Sequence, residues 1–293
     1  MKLGFITEYS EERVAFAGRA GFDCLEVRAE PGSPLDLNKL SDTDIAKVAD
    51  TFAKNNVAVG TLQCAMQHLH SDPQVRAENN AYFEKALRTA KQFGTNIVMT
   101  QIYIERGLKP ETQIAAYKEV FSRFAEIAEK ENIIIPIENC PHWIGYPLSV
   151  GNLAASPELW DAMFDAVPSK RIGLEFDPSH LLWMGIDYIK AIRKYGDKIL
   201  AFHAKDTEML EDGANQYGIL GRQIGSTNDW DSGWWRYRIP GWGDLDWQGI
   251  FRALNDISFD GVMVIEHEDP VFGGPRTDEG LLLGLRYLKQ FML

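Results

Sequence analysis

The stretch RIGLEFDPSH, residues 171–180, decides the fold. It begins as an apolar, β-type run and ends in polar residues, with Asp177 near its C-terminal end. Three further stretches have the same form and carry Glu138, His203 and Glu266 near their ends: IIIPIEN (133–139), ILAFHAKD (199–206) and GVMVIEHEDP (261–270). In a parallel β/α sheet, ligands bind beyond the C-terminal ends of the strands. We therefore expect these four side chains to converge if the sheet closes into a barrel.

The same alternation of strand and helix runs through the whole chain. Eight β-type runs alternate with eight helix-type segments, and no linker or second-domain signal interrupts them. Such alternation indicates a parallel sheet, and eight units favour a barrel over an open sheet. We predict an α/β fold, a (β/α)8 TIM barrel, as a single domain over residues 1–293. Residues 207–243 lack clear periodicity and are rich in Gly and Trp, which predicts a long functional loop.

Composition excludes several classes of protein. The net charge of −12 argues against binding a nucleic-acid backbone, which needs clustered Lys and Arg. Three cysteines are too few for a disulfide framework, and no apolar run approaches the roughly 20 residues of a membrane span. The N-terminal MKLGFITEYS does not read as a signal peptide. We expect a cytoplasmic protein that binds neither nucleic acid nor membrane and is compatible with a homo-oligomer.

The four strand-end residues fit a divalent metal ion. Carboxylate oxygen and imidazole nitrogen suit hard and borderline cations, and the absence of a thiolate from this pattern disfavours a structural zinc site. Mn²⁺ fits best, with Mg²⁺, Co²⁺ and Zn²⁺ as alternatives. A single strand-end acid is often only a helix cap. Capping does not explain why a histidine joins three acids at corresponding positions.

The motifs of the C-terminal half resemble the xylose isomerase-like barrels, a superfamily of sugar isomerases and epimerases that also contains ketose 3-epimerases, inosose dehydratases and an endonuclease branch. The matching motifs are IEN (137–139), FDPSH (176–180), FHAKD (202–206), RIPGWGDLDW (238–247) and GVMVIEHED (261–269). The resemblance implies that Glu138, Asp177, His203 and Glu266 bind the metal. It also implies that Glu138 and Glu266 move protons, and that His180 and Arg238 contact substrate or support the site.

The chemistry of these residues agrees with that implication. A divalent cation that holds a sugar carbonyl and a neighbouring hydroxyl stabilises an enediolate. One carboxylate can remove the α-proton and a second, on the opposite face, can return one. Glu138 and Glu266 come from strands three apart, so they could flank a substrate.

Several other side chains are candidates for substrate contact. Lys205 shares the phase of His203 and could bind a substrate oxygen or neutralise the acids; Glu268 shares the phase of Glu266. His142, after the fifth strand, could act as an acid or base or be an ordinary loop residue. Six loop tryptophans could stack on a sugar ring or serve packing alone: Trp143, Trp183, Trp230, Trp234, Trp235 and Trp242.

Two further expectations concern the barrel interior and the endonuclease branch. Glu175 lies one layer below Asp177, and as a buried acid it needs a partner, for which we expect Arg28. His68 and His70 follow the third strand, as in the endonuclease branch, but the fourth strand offers Gln101 and Tyr103 where that branch has histidine. This departure and the acidic charge disfavour a nuclease.

Three functional hypotheses remain. The leading one is a metal-dependent isomerase or epimerase acting on a keto sugar. The second is a lyase of the same superfamily, either an inosose dehydratase or an enzyme of 3-keto-glycoside β-elimination. The third is a catalytically silent barrel that binds a sugar or serves as a subunit.

Overall fold

Eight parallel strands form the centre of the computed structural model, which describes residues 1–105, 107–142, 150–220, 224 and 232–292. The strands are Lys2–Thr7 (β1), Cys24–Arg28 (β2), Ala58–Gln63 (β3), Val98–Met99 (β4), Ile135–Glu138 (β5), Ile172–Phe176 (β6), Ile199–Ala204 (β7) and Val262–Ile265 (β10). Their order is β4–β3–β2–β1–β10–β7–β6–β5. Backbone hydrogen bonds from Thr100 to Pro136 and from Glu138 to Thr100, both 3.1 Å, join β4 to β5. The sheet therefore closes, and the predicted TIM barrel is confirmed.

Ten α-helices lie in the described ranges. They are Glu11–Ala20 (α1), Asp42–Lys54 (α2), Pro73–Thr89 (α3), Pro110–Glu131 (α4), Pro157–Ala166 (α5), Pro178–Trp183 (α6), Tyr188–Lys194 (α7), Glu211–Tyr217 (α8), Trp247–Asp256 (α9) and Thr277–Leu288 (α10). Eight of them match the helices that the sequence predicts. The short helices α6 and α8 are additional, and both lie beyond the C-terminal ends of strands.

Local signals in the sequence set the helix boundaries. The Ser10 side chain accepts a hydrogen bond from the backbone of Arg13 at the start of α1, and Gly21 ends that helix at φ 85°. Ser41 and Asp44 form the reciprocal capping box of α2. Residues close to each helix end therefore define where α1 and α2 begin and where α1 ends.

Residues 207–243 are more regular than the sequence predicts. Asp206–Met209 (β8) and Trp235–Arg238 (β9) form an antiparallel hairpin that stands beyond the end of β7, with α8 between its strands. The prediction of a stretch without regular structure is wrong for these described parts. Each strand of the hairpin has only four residues, which is too short to give a clear periodic pattern.

The carboxylate of Asp206 fixes this hairpin to the barrel. Its Oδ1 accepts hydrogen bonds from the backbone N–H groups of Thr207 at 2.8 Å and Leu245 at 3.1 Å. Its Oδ2 accepts from the backbone of Gly241 at 2.9 Å and from the indole N–H of Trp247 at 2.8 Å. Four donors from β8, the turn after β9 and the start of α9 thus meet at one buried side chain.

Side chains alternate between the two faces of each strand, so one set packs against the helices and the other lies inside the barrel. Outward-facing residues such as Leu174, Phe176 and Phe202 pack in the large core between sheet and helices. A small separate cluster of Cys24, Ile97, Val262 and Val264 belongs to the other phase of the strands and fills the lower barrel interior. The polar residues of the barrel lie above this cluster, toward the C-terminal ends of the strands.

Among the described residues, none of the helices combines the length and the apolar composition that crossing a membrane requires.

We predict that Asp206→Ala lowers the free energy of unfolding by about 3 kcal/mol, because it leaves buried donors without an acceptor. Thermal and urea unfolding measure this change. The control is Asp256→Ala, which removes only a surface pair with Arg193 and should cost about 1 kcal/mol or less. Equal losses in the two variants would contradict the role given to Asp206.

Candidate metal centre and cavity

Four potential metal ligands meet at the C-terminal ends of β5, β6, β7 and β10. One ligand atom from each of Glu138, Asp177, His203 and Glu266 lies within 4.8 Å of all the others. The first three side chains are buried, and Glu266 is 20% exposed at the edge of the cluster. The sequence places these residues in four separate segments, and closure of the barrel brings them together.

Three of the atoms that face the centre of this cluster lack hydrogen-bond partners. His203 Nδ1 lies 3.3 Å from Glu138 Oε1 and 3.1 Å from Glu266 Oε2. Within the described part of the chain, His203 Nδ1, Glu138 Oε1 and Asp177 Oδ2 make no hydrogen bond although all are buried. Buried polar atoms without partners are costly. Three carboxylates and one imidazole that point at a common centre fit a divalent cation, which would satisfy these atoms.

Asp177 is held in place by the start of α6. Its Oδ1 accepts a hydrogen bond from the backbone N–H of Ser179 at 2.8 Å, which makes Asp177 the N-cap residue. The side chain of Asn139 accepts from the backbone N–H of Asp177 at 2.7 Å and donates to its carbonyl at 2.9 Å. Capping and metal binding are therefore compatible here, because capping uses Oδ1 and leaves Oδ2 directed at the cluster.

Glu138 is oriented by two residues of the neighbouring β4 segment. The Gln101 amide donates to Glu138 Oε2, and the Tyr103 hydroxyl donates to Gln101 Oε1 at 2.6 Å. Burial alone would raise the pKa of Glu138, but the neighbouring rings of His180 and His203 hold it well below its usual range. The sequence indicated Gln101 and Tyr103 only as replacements for histidine. Their position at the end of the fourth strand was the available signal for a role beside Glu138.

Lys205 lies among three carboxylates. Its Nζ is 2.7 Å from Glu266 Oε2, 3.0 Å from Glu268 Oε2 and 3.3 Å from Asp177 Oδ2. Burial alone would lower the pKa of this almost fully buried lysine, but the charges of Glu266, Glu268 and Asp177 raise it well above its usual range. Lys205 is therefore a fixed positive charge beside the cluster.

His180 lies next to the cluster but is completely buried. Its Nε2 is 3.2 Å from Asp177 Oδ2 and 3.5 Å from Glu138 Oε1. Its Nδ1 shares a 2.7 Å hydrogen bond with the hydroxyl of Tyr237 on β9. The hairpin thus reaches the site through Tyr237 and fixes the orientation of the His180 ring.

A cavity of about 740 Å³ opens beside these residues. Five of the residues predicted for the site line it: Glu138, His142, Lys205, Glu266 and Glu268. Further lining residues come from the segments after β3 and β4: Gln67, Leu69, His70, Ser71, Tyr103, Ile104 and Glu105. The Tyr103 and His142 rings are in contact, with centroids 4.8 Å apart. The cavity lining therefore combines charged and polar side chains with apolar and aromatic surface.

Three of the predicted substrate contacts lie outside the described cavity lining: His180, Arg238 and Trp183. Arg238 is buried, donates to Asp269 Oδ2 at 2.8 Å and pairs with Glu208, so it ties β9 to β8 and to the segment after β10. Trp183 stacks on Trp235 with centroids 4.7 Å apart. Arg238 and Trp183 both lie in the layer that supports the hairpin.

The remaining tryptophans have different surroundings. Trp234 packs against Trp183 and Trp235, whereas Trp242 is half exposed and packs against Phe272. Trp143 and Trp230 lie outside the described residues.

The prediction that Arg28 is the partner of Glu175 is wrong. Arg28 contacts Glu8 at 3.1 Å instead. Glu175 Oε2 lies 3.3 Å from His203 Nε2, on the side of the ring opposite the cluster. Alternation along a strand identifies the face of a residue, but it does not identify the residue across the barrel.

The two histidines after β3 have separate environments. His68 is fully buried, packs against Phe83 and Phe121, and hydrogen-bonds to Asn80 and Thr100. His70 lines the cavity. The two histidines therefore do not form a joint metal site with the four-residue cluster.

The chain is similar to several proteins of known function or structure. An inosose isomerase of Bacillus velezensis is 25% identical over 247 residues, which cover 84% of this chain and 79% of that protein. The structure of a D-psicose 3-epimerase with D-tagatose from Clostridium cellulolyticum H10 matches with a TM-score of 0.74 at 16% identity, covering 100% of this chain and 99% of that chain. The IOLI protein with a bound zinc atom matches with a TM-score of 0.72 at 20% identity, covering 99% and 96% of the two chains.

The family model described as xylose isomerase-like TIM barrel matches residues 14–291. This match spans nearly the whole chain and agrees with the closed barrel. The chain therefore belongs to the xylose isomerase-like TIM barrel family.

Proposed function

We propose that this chain is a divalent-metal-dependent sugar isomerase or epimerase that acts on a keto sugar through an enediolate. The observation that carries the proposal is the convergence of Glu138, Asp177, His203 and Glu266 beside an open cavity that Glu138 and Glu266 line. The inosose isomerase relative and the epimerase-like fold support the substrate class. A sugar-binding barrel without catalysis would not need two carboxylates and a buried lysine beside this cavity.

Glu138, Asp177, His203 and Glu266 would hold the cation. Three oxygen ligands and one nitrogen ligand suit Mn²⁺ best, and Mg²⁺, Co²⁺ and Zn²⁺ are alternatives. A bound cation would polarise the carbonyl and neighbouring hydroxyl of the keto sugar and so acidify the α-proton.

Glu138 and Glu266 are the proposed proton-transfer pair. They reach the cavity from β5 and from the end of β10, with β6 and β7 between them in the sheet. Their environments differ: Gln101 donates to Glu138, whereas Lys205 donates to Glu266. Carboxylates on two sides of a planar enediolate can remove a proton from one face and return one to the other.

The remaining cavity residues would position the sugar. Lys205, Glu268 and His142 offer charged and polar groups near the proton-transfer pair. His180 would support Asp177 and Glu138 because it is buried between them and Tyr237. Arg238 and Trp183 would act through the hairpin that carries Tyr237, since neither reaches the described cavity lining.

Elimination is the second candidate, and the pair Lys205–Glu268 favours it. Glu268 lies 3.0 Å from Lys205 Nζ and on the same segment as Glu266. The Lys205 ammonium, which Glu268 holds in place, could protonate a leaving oxygen after a glutamate has removed the α-proton. Epimerisation and elimination share the enediolate and differ only in its fate.

We predict that Asp177→Ala and His203→Ala each lose metal occupancy at a Mn²⁺ concentration that saturates the wild-type protein, because each removes a buried ligand and so weakens binding. Elemental analysis after dialysis against Mn²⁺ measures occupancy. Asp187→Ala is the matched control, since Asp187 also caps a helix N-terminus, accepting from Lys190 at 2.9 Å, but lies at the surface. Full occupancy in either ligand variant would reject the assignment.

We predict that Glu138→Gln and Glu266→Gln each lower kcat by at least ~10², the lower range for a positioned acid or base. One variant should lose exchange of the substrate α-proton with D₂O. The other should retain exchange but form no product, because only reprotonation fails.

Loss of metal would abolish exchange in both variants, so metal content is measured in parallel. Glu119→Gln serves as the control, because Glu119 is an exposed residue of α4 outside the described cavity lining. If both glutamine variants keep their metal and full turnover, proton transfer belongs to other residues.

We predict that the metal-loaded protein incorporates deuterium into a keto sugar without releasing water or an alcohol. NMR and mass spectrometry of ketohexoses and 3-keto glycosides in D₂O check this outcome. Glu268→Gln should then leave α-proton exchange largely intact. Release of water or an aglycone that slows in Glu268→Gln would establish elimination instead.

A further inference from the structure

Two acids lie beneath the proposed metal site. Glu26 on β2 and Glu175 on β6 are both completely buried. In the described ranges, none of their four carboxylate oxygens has a well-aligned hydrogen-bond donor. A buried carboxylate without compensation is costly, so these two acids need a nearby group that carries a proton or positive charge.

His203 is the group that both acids face. Its Nε2 lies 3.3 Å from Glu175 Oε2 and 3.6 Å from Glu26 Oε1. Its other nitrogen, Nδ1, faces Glu138 and Glu266 at the centre of the cluster. The imidazole ring therefore separates two groups of carboxylates, one on the metal side and one below it.

This arrangement determines which nitrogen carries the proton. A neutral imidazole has one N–H, and the nitrogen that binds a metal must present its lone pair. If Nδ1 binds the cation, the proton must lie on Nε2, where Glu175 is the nearer acceptor. A carboxylate in this position fixes the tautomer and the orientation of a metal-binding histidine.

We propose that Glu175 is a positioning residue that holds His203 Nε2–H and thereby presents Nδ1 to the metal. This inference rests on the metal-binding part of the proposed function. Glu26 contributes negative charge at a longer distance and is not the principal partner. Among the described residues, this contact stands where the sequence predicted one with Arg28.

The strand register supports this role. Glu175 lies two residues before Asp177 and shares its face of β6, so one strand supplies both a ligand and the support of another ligand. The pairing of β6 with β7 shifts between Leu174 and Glu175, after which Glu175 pairs with Ala201. His203 is two residues further along β7, on the same face as Ala201.

The test is the dissociation constant for Mn²⁺, measured by the free-ion electron paramagnetic resonance signal. Glu175→Ala should raise the Kd by roughly 10- to 100-fold, the range for loss of such a support. Glu175→Gln keeps an acceptor oxygen and should have a smaller effect. Glu26→Gln is the matched control in the same buried layer, and its effect should be smaller than that of Glu175→Ala.

A double-mutant cycle separates positioning from general structural damage. In the His203→Ala background, Glu175→Ala should not weaken Mn²⁺ binding further, because the supported ligand is already absent. Equal weakening in both backgrounds, or an unchanged Kd in Glu175→Ala and Glu175→Gln, would overturn the inference. If the alanine variant does not fold, the same Mn²⁺ dissociation constants are measured with Glu175→Gln.

Failure of this inference is distinguishable from failure of the proposed function. If wild-type protein binds Mn²⁺ and the Glu175 variants bind it equally well, only the positioning role is wrong. If wild-type protein binds no divalent cation, both the proposed function and the positioning role of Glu175 are wrong.

Discussion

Concentration of negative charge in a buried space is the constraint on which this structure depends. Five acids meet near the axis of the barrel: Glu26, Glu138, Glu175, Asp177 and Glu266. Removing carboxylates from water costs several kcal/mol each unless opposite charge or hydrogen bonds compensate. Lys205 supplies positive charge beside these acids, and the rings of His180 and His203 contact them. A divalent cation would complete the compensation, because three atoms at the centre of the cluster (His203 Nδ1, Glu138 Oε1 and Asp177 Oδ2) have no hydrogen-bond partner in the described structure.

This charge distribution leaves the cavity side of the cluster available. Lys205 neutralises one side, and the ring of His180, held by Tyr237, faces another. His180 is completely buried and lies outside the described cavity lining, whereas Lys205 is almost fully buried but lines the cavity with Glu138 and Glu266. A substrate that enters the cavity therefore meets the two proposed proton-transfer carboxylates and the lysine together.

The sequence predicted the barrel and the cluster because both follow from strand periodicity. Each strand is short and apolar and ends in one strong ligand, so the closed sheet alone brings Glu138, Asp177 and His203 together. Contacts across the barrel were not predictable in the same way. The partner of Glu175 was wrong because strand phase specifies a face, whereas His203 becomes its neighbour only through the shifted register of β6 and β7.

Short elements beyond the strand ends were also missed. Helix α6 has only six residues, too few for a periodic pattern, although Asp177 and Pro178 form a recognisable helix start. The hairpin of β8 and β9 depends on hydrogen bonds to Asp206 from residues up to 41 positions away. The predicted substrate contacts of Arg238 and Trp183 were missed for the same reason. Their sequence context indicated loops near the mouth of the barrel, but their side chains pack against the hairpin and support it.

Alternation along β6 shows how a single strand connects stability to chemistry. Leu174 and Phe176 face outward into the core, while Glu175 and Asp177 face the barrel axis. Because side-chain direction alternates with each residue, a shift of the strand by one position would exchange the two sets. Such a shift would bury two carboxylates among helices and direct two apolar side chains at the metal site. The packing that stabilises the fold therefore also fixes the register in which Asp177 can act as a ligand and Glu175 can support His203.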